Sequence, residues 1–161
     1  MKPRIYLETT LFNYYFLTDV KREKEILSTK VLFNKISKNI FDGFVSAITI
    51  QELEQCNDII KKKNMIELIE KHEINRLILP DYSILEKLAD KYITAGAIPL
   101  TKKTDALHIA TATIGEMDIL ISWNCDHIVR FKTQQIVKAI NVSEGFTDIS
   151  INTPEEVIHN E

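Results

Sequence analysis

The sequence predicts a three-layer α/β domain, with a short, mainly parallel central sheet flanked by helices. Three observations predict it. Short apolar runs at residues 4–7, 44–46, 118–122 and 149–151 are separated by stretches of helical periodicity, the order that gives parallel sheets. The run Asp118-Ile-Leu-Ile-Ser122 has a continuous apolar centre, as expected of a strand covered on both faces. The chain has 161 residues, 45% hydrophobic and 27% charged, the size and composition of one soluble domain that folds without a metal or disulfide staple.

Taken in order, Arg4–Leu7 is a β-rich opening strand. Thr29, Leu32, Phe33, Ile36 and Ile40 recur at i, i+3, i+4, i+7 spacing, which predicts an amphipathic helix over 23–39. Asp42-Gly43 reads as a turn and 44–46 as a second strand. Helices are predicted over 48–57 and 61–71, the latter with Met65, Leu68 and Ile69 on one face. Leu77-Ile78-Leu79 reads as a short strand ended by Pro80. Leu85, Leu88, Ala89, Tyr92 and Ile93 make a helical face stopped by Gly96 and Pro99, and an Ala-rich helix over 104–114 ends at Gly115. After the strands at 118–122 and 149–151, Thr153-Pro154-Glu155-Glu156 opens a last helix, with a capping Thr, an early Pro and a Glu at the capping-box position. No repeat or linker divides the sequence, so residues 1–161 are expected to form a single domain.

The net charge is −3, whereas a protein that coats nucleic acid is basic; a nucleic-acid role must rest on a local patch. Glu8 interrupts the apolar residues behind the basic N-terminus, and no apolar run approaches the ~20 residues of a membrane helix. A cytoplasmic location with no membrane contact is expected, with Cys56 and Cys125 as buried free thiols. Cys125-x-His127 lacks the paired spacing of zinc ligands, so no zinc site is expected.

In open α/β sheets, ligands bind beyond the carboxyl ends of the strands. Glu8 closes the first strand, Ser122 closes the buried one, and Asn124 and Asp126 lie just beyond it. Asp105 opens the Ala-rich helix, and Glu52 sits one turn into the helix after the second strand. Each has a bland reading: a solvated face for Glu52, a helix-dipole partner for Asp105, a turn for Asn124 and Asp126. Together they fall where the fold places ligands. Gathered carboxylates repel unless a cation lies among them, and Mg²⁺ or Mn²⁺ suits an all-oxygen site.

These residues carry a resemblance. Ile5-Tyr6-Leu7-Glu8-Thr9-Thr10-Leu11, Val45-Ser46-Ala47-Ile48-Thr49-Ile50-Gln51-Glu52-Leu53, Thr104-Asp105-Ala106-Leu107-His108-Ile109-Ala110 and Ile119-Leu120-Ile121-Ser122-Trp123-Asn124-Cys125-Asp126-His127-Ile128 resemble, in order, the four acidic motifs of the PIN domain family. That family comprises metal-dependent ribonucleases, including the VapC-type toxins of toxin–antitoxin pairs. The resemblance implies a PIN-like fold and a Mg²⁺- or Mn²⁺-dependent endoribonuclease, with Glu8, Glu52, Asp105 and Asn124 as metal ligands and Asp126 in support. It also implies RNA as substrate, an antitoxin protein as partner and a homodimer. The sequence has Glu8 where most of the family has Asp, and Asn124 where many members have Asp. An amide holds a cation less strongly than a carboxylate, so the second reading is a PIN-like module that binds RNA or a protein partner without cleaving.

His108 reads as structural, and His127 as packing or a hydrogen bond behind the site. No G-x-S-x-G elbow and no phosphate-cradling Gly-rich loop occurs. The aromatic stretch 11–17 reads as core or dimer packing in preference to base stacking, and Lys102-Lys103 is the best candidate for an RNA backbone contact.

Overall fold

The computed structural model describes residues 1–79 and 81–159. Along the chain run β1 (Arg4–Leu7), α1 (Thr10–Tyr15), α2 (Glu23–Ser37), β2 (Asp42–Val45), α3 (Ala47–Glu54), α4 (Ile59–Lys71), β3 (Asn75–Arg76), α5 (Tyr82–Thr94), α6 (Lys103–Ile114), β4 (Ile119–Ile121), α7 (Phe131–Ser143), β5 (Ser150–Asn152) and α8 (Pro154–His159). The five strands form one sheet in the order β3-β2-β1-β4-β5, and every neighbouring pair is parallel. The predicted α/β class is therefore present, with the sheet parallel throughout.

β1 is the central strand, and its period of two divides the core. Tyr6 points to a cluster with Leu120 of β4, Leu88 and Tyr92 of α5, Ile109 of α6 and Val137 of α7. Ile5 and Leu7 point the other way, to Leu11 and Phe12 of α1, Leu32 and Phe33 of α2, Met65 and Leu68 of α4 and Val157 of α8. The aromatic stretch is thus largely core. Phe12 is fully buried edge-on to Phe33, which Tyr15 also meets edge-on.

Three expectations are corrected. Asp42-Gly43 is not a turn: both residues lie in β2, in register with Arg4 and Ile5. The chain reverses earlier, at Asn39 with φ 65°. Gly43 serves for space, since a Cβ there would meet Ile36 at 3.3 Å. Residues 77–79 are not a strand: β3 is Asn75–Arg76, and only the Leu77 N–H continues the ladder, to Val45 O at 2.7 Å. Pro80, expected to end that strand, lies outside the described residues. Finally, the thiols are free as expected, but Cys125 is exposed and Cys56 half-buried.

Gly96 ends α5 at φ 85°, a left-handed position that glycine adopts without strain. After α6 the left-handed residue is Glu116 instead, and Gly115 is there because a Cβ would come within 2.5 Å of Leu77. Thr153 caps α8 as predicted: its hydroxyl accepts from the Glu156 N–H at 3.4 Å and meets the Glu156 carboxylate at 3.2 Å.

α5, α6 and α7 are tied by a buried polar cluster. The Tyr92 hydroxyl donates to Asn141 Oδ1 at 2.5 Å, and Asn141 Nδ2 donates to Thr113 Oγ1 at 3.2 Å. Burial raises the Tyr92 pKa far above the ordinary phenol value, so the hydroxyl stays a donor. Tyr92→Phe leaves a buried amide oxygen without its donor, so urea unfolding is expected to show a loss of about 1–3 kcal/mol.

Candidate functional site

The chain runs from β1 outward to β2 and β3, then returns to β4 and β5 on the other side of β1. The sheet therefore has its switch point between β1 and β4, and in open α/β sheets the ligand crevice lies there, beyond the carboxyl ends of the strands. Glu8 is the first residue after β1, and its N–H donates to Ile121 O at the end of β4, 3.2 Å away. Its side chain is only 3% exposed. Thr10 donates to Glu8 Oε1 from both its N–H (3.1 Å) and its hydroxyl (2.5 Å), and the Ser122 hydroxyl donates to the same oxygen at 2.7 Å. Among the described residues, no hydrogen bond falls on Glu8 Oε2.

Glu52 comes from α3, which starts at Ser46 because the Ser46 hydroxyl accepts from the Ile48 N–H at 3.2 Å. Thr9 Oγ1 donates to Glu52 Oε1 at 2.7 Å, and His108 Nε2 bonds the same oxygen. Here too the second oxygen carries no hydrogen bond among the described residues. Asp105 lies in the first turn of α6, one turn before His108. Asn124 Nδ2 donates to Asp105 Oδ2 at 3.2 Å, and Oδ1 is likewise left without a donor. Each of the three carboxylates thus has one oxygen locked by protein donors and one open.

His108 is fully buried, with its Nδ1 2.7 Å from the Tyr6 hydroxyl, which lies 2.7 Å from Ser46 Oγ. Ligand atoms of Glu8, Glu52 and His108 all lie within 4.8 Å of one another. Burial opposes a charge on His108, but Tyr6, the Glu52 hydrogen bond and the Glu8 and Glu52 charges outweigh it and push its pKa up to about 10. Burial likewise works against the Glu52 charge, yet the His108 bond and charge win and hold its pKa below the ordinary value. Both directions describe one ion pair, imidazolium on carboxylate. Glu8 and Asp105 are raised, mainly by burial, with the His108 charge the chief force holding each down.

Glu8, Glu52 and Asp105 are therefore brought to one crevice, with Asp105 outside the tightest group and His108 inside it. Asn124 is in the crevice but its groups are committed: Oδ1 accepts from the His127 N–H at 3.1 Å while Nδ2 holds Asp105. Asp126 is exposed, and no hydrogen bond joins it to the other acids among the described residues. His127 Nδ1 is buried without a hydrogen-bond partner among the described residues. Sequence reasoning treated His108 as structural and gave Tyr6 no role. The available signal was the Asp105–His108 spacing of three, which puts both on one helix face.

Around the crevice, Trp123 stacks on Tyr14 with centroids 5.4 Å apart. Lys103 is not free for a phosphate, because it pairs with Glu86 at 3.0 Å and Asp90 at 3.7 Å, while Lys102 is exposed. A separate groove of about 630 Å³, lined by Pro3, Phe41, Ile119, Asn152 and Val157 among others, lies away from the acids. Among the described residues no helix is long and apolar enough to cross a membrane. Comparison with protein-family models and with curated proteins returns no match to this chain.

Proposed function

We propose that the protein is a divalent-metal-dependent endoribonuclease of the PIN type. The observation that carries this reading is the half-locked acid set: Glu8 and Glu52 lie together beyond the switch point with Asp105 beside them, each with one oxygen fixed by donors and one open. Donors on one oxygen fix the carboxylate's direction, and the open oxygen is what a hard cation takes. The all-oxygen chemistry of this set fits Mg²⁺ or Mn²⁺. When bound, such an ion activates a water and neutralises charge on a phosphate.

The chain's own residues have separable tasks. Thr10 and Ser122 hold Glu8 against β1 and β4, Thr9 and His108 aim Glu52, and Asn124 aims Asp105. Asn124 acts here by positioning, since its oxygen is already used by the His127 N–H. Lys102 supplies a cation at the rim for an RNA backbone. Through the same resemblance, a homodimer and a small antitoxin are the proposed protein partners.

The decisive experiment is RNA cleavage with Mn²⁺ by wild type and by Asp105→Asn. The expected result is cleavage by wild type and a loss of at least about a hundredfold in the variant; equal rates sink the assignment. The second reading, an RNA- or protein-binding module without cleavage, is favoured by one observation: the Glu52 carboxylate is already bonded by the His108 ring. Calorimetry separates the two, since the module takes up no heat from millimolar Mg²⁺ or Mn²⁺.

A further inference from the structure

We infer that His108 is itself a metal ligand, making a mixed nitrogen–oxygen site with Glu8 and Glu52 that prefers Mn²⁺ and its transition-metal neighbours to Mg²⁺. This rests on the metal-site reading above and deepens it. The atoms that lie within 4.8 Å of one another are those of Glu8, Glu52 and His108, not of the three carboxylates. Metal–ligand bonds of about 2.1 Å put neighbouring ligand atoms about 3 Å apart and opposite ones about 4.2 Å apart. The observed group, with its ligand atoms within 4.8 Å of one another, is close to those spacings.

The surroundings of His108 are those of a metal-binding imidazole. A ligating histidine bonds its second ring nitrogen to an oxygen that fixes ring orientation and tautomer. Here Nδ1 meets the Tyr6 hydroxyl, which is held in turn by Ser46 Oγ, both at 2.7 Å. Tyr6 is fully buried in the central strand, so this arm is rigid. The ring is thereby pinned with Nε2 toward the Glu52 carboxylate. To serve as a ligand Nε2 would give up to solvent the proton it shares with Glu52 Oε1, and the open oxygens of Glu52 and Glu8 would complete the donor set. Imidazole suits later divalent metals, while Mg²⁺ keeps to oxygen. Asp105, tied to Asn124, remains at the edge of the site.

The test is electron spin-echo spectroscopy of the full chain loaded with Mn²⁺, with and without ¹⁵N-histidine labelling. A directly bound imidazole nitrogen gives a strong ¹⁴N modulation that changes on labelling. In His108→Gln that signal is expected to vanish, and Mn²⁺ affinity measured by calorimetry to fall at least about tenfold, with Mg²⁺ affinity little changed. Mn²⁺ bound by wild type without nitrogen coupling overturns the inference and leaves the carboxylate metal site standing. Wild type that binds no Mn²⁺ at all overturns both. If that variant does not fold, His127→Gln decides: the nitrogen modulation persists when His108 is the ligand, and its loss there overturns the inference.

Discussion

Glu52→Ala is expected to abolish RNA cleavage, lowering it at least about a hundredfold, and to destabilise the protein at the same time. The two losses have different origins. The first comes from the carboxylate oxygen that no donor among the described residues holds. The second comes from His108, fully buried and paired with Glu52. Removing one member of a buried pair costs about 3–5 kcal/mol when the other keeps its charge. His108 escapes part of that cost by releasing its proton, so the expected loss is up to about 3 kcal/mol. Glu52→Gln separates the effects: an amide oxygen still accepts from Nε2, so stability is largely kept while cleavage is lost. Urea unfolding beside a cleavage assay checks this, and a Gln variant that cleaves like wild type would remove Glu52 from the chemistry.

Alkaline pH is expected to weaken the metal-free protein in a window set by the same pair. The folded His108 pKa is raised from 6.5 to about 10. A raised basic group gives stability that is fully present below pH 6.5 and is lost as pH climbs through about 10. Glu8, raised by burial, works in the same direction at lower pH: the fold favours its protonated form, so stability falls as pH rises from 4.5 through its raised value. Glu52 works oppositely, its lowered pKa giving stability above pH 4.5 that is lost as pH falls through its folded value. Unfolding midpoints between pH 6 and pH 10 should therefore decline, by on the order of a few kcal/mol in stability. His108→Gln should flatten that limb, and an unchanged limb would assign it to other groups.

What the sequence could announce depended on whether the signal was local. β1 and β4 are buried on both faces and read as plain apolar runs. α5 has a clean stripe, and α8 has its capping box. α7 escaped notice because Thr133 and Asn141 stand on its buried face beside Val137, interrupting the apolar period. α1, only six residues long, was hidden in the aromatic stretch. Asp42-Gly43 carried turn chemistry, but packing against Ile36 and pairing with β1 overrode it.

The site divides along the same line. Glu8, Glu52 and Asp105 were legible because strand ends and helix first turns are local features. The preference for Asn124 over Asp126 was a matter of the turn: Asn124 Oδ1 takes the His127 N–H and turns its amide inward, leaving Asp126 outside. The spacing of three from Asp105 put His108 on the right helix face, but its pairing with Glu52 and Tyr6 was not legible, because those partners lie 56 and 102 residues away. Nor was the full lock on Glu8, since one of its three donors comes from Ser122.

That lock has a consequence for the order in which the protein is made. Glu8 and Ser122 are 114 residues apart in sequence, and β1 pairs with β4 across a comparable separation. A growing chain makes Glu8 long before β4 and cannot fix it until β4 has emerged. Long-range parallel pairing of this kind closes slowly. A chain in which β4 has not yet paired with β1 therefore holds Glu8 without its Ser122 donor, and any activity of this site waits on that pairing.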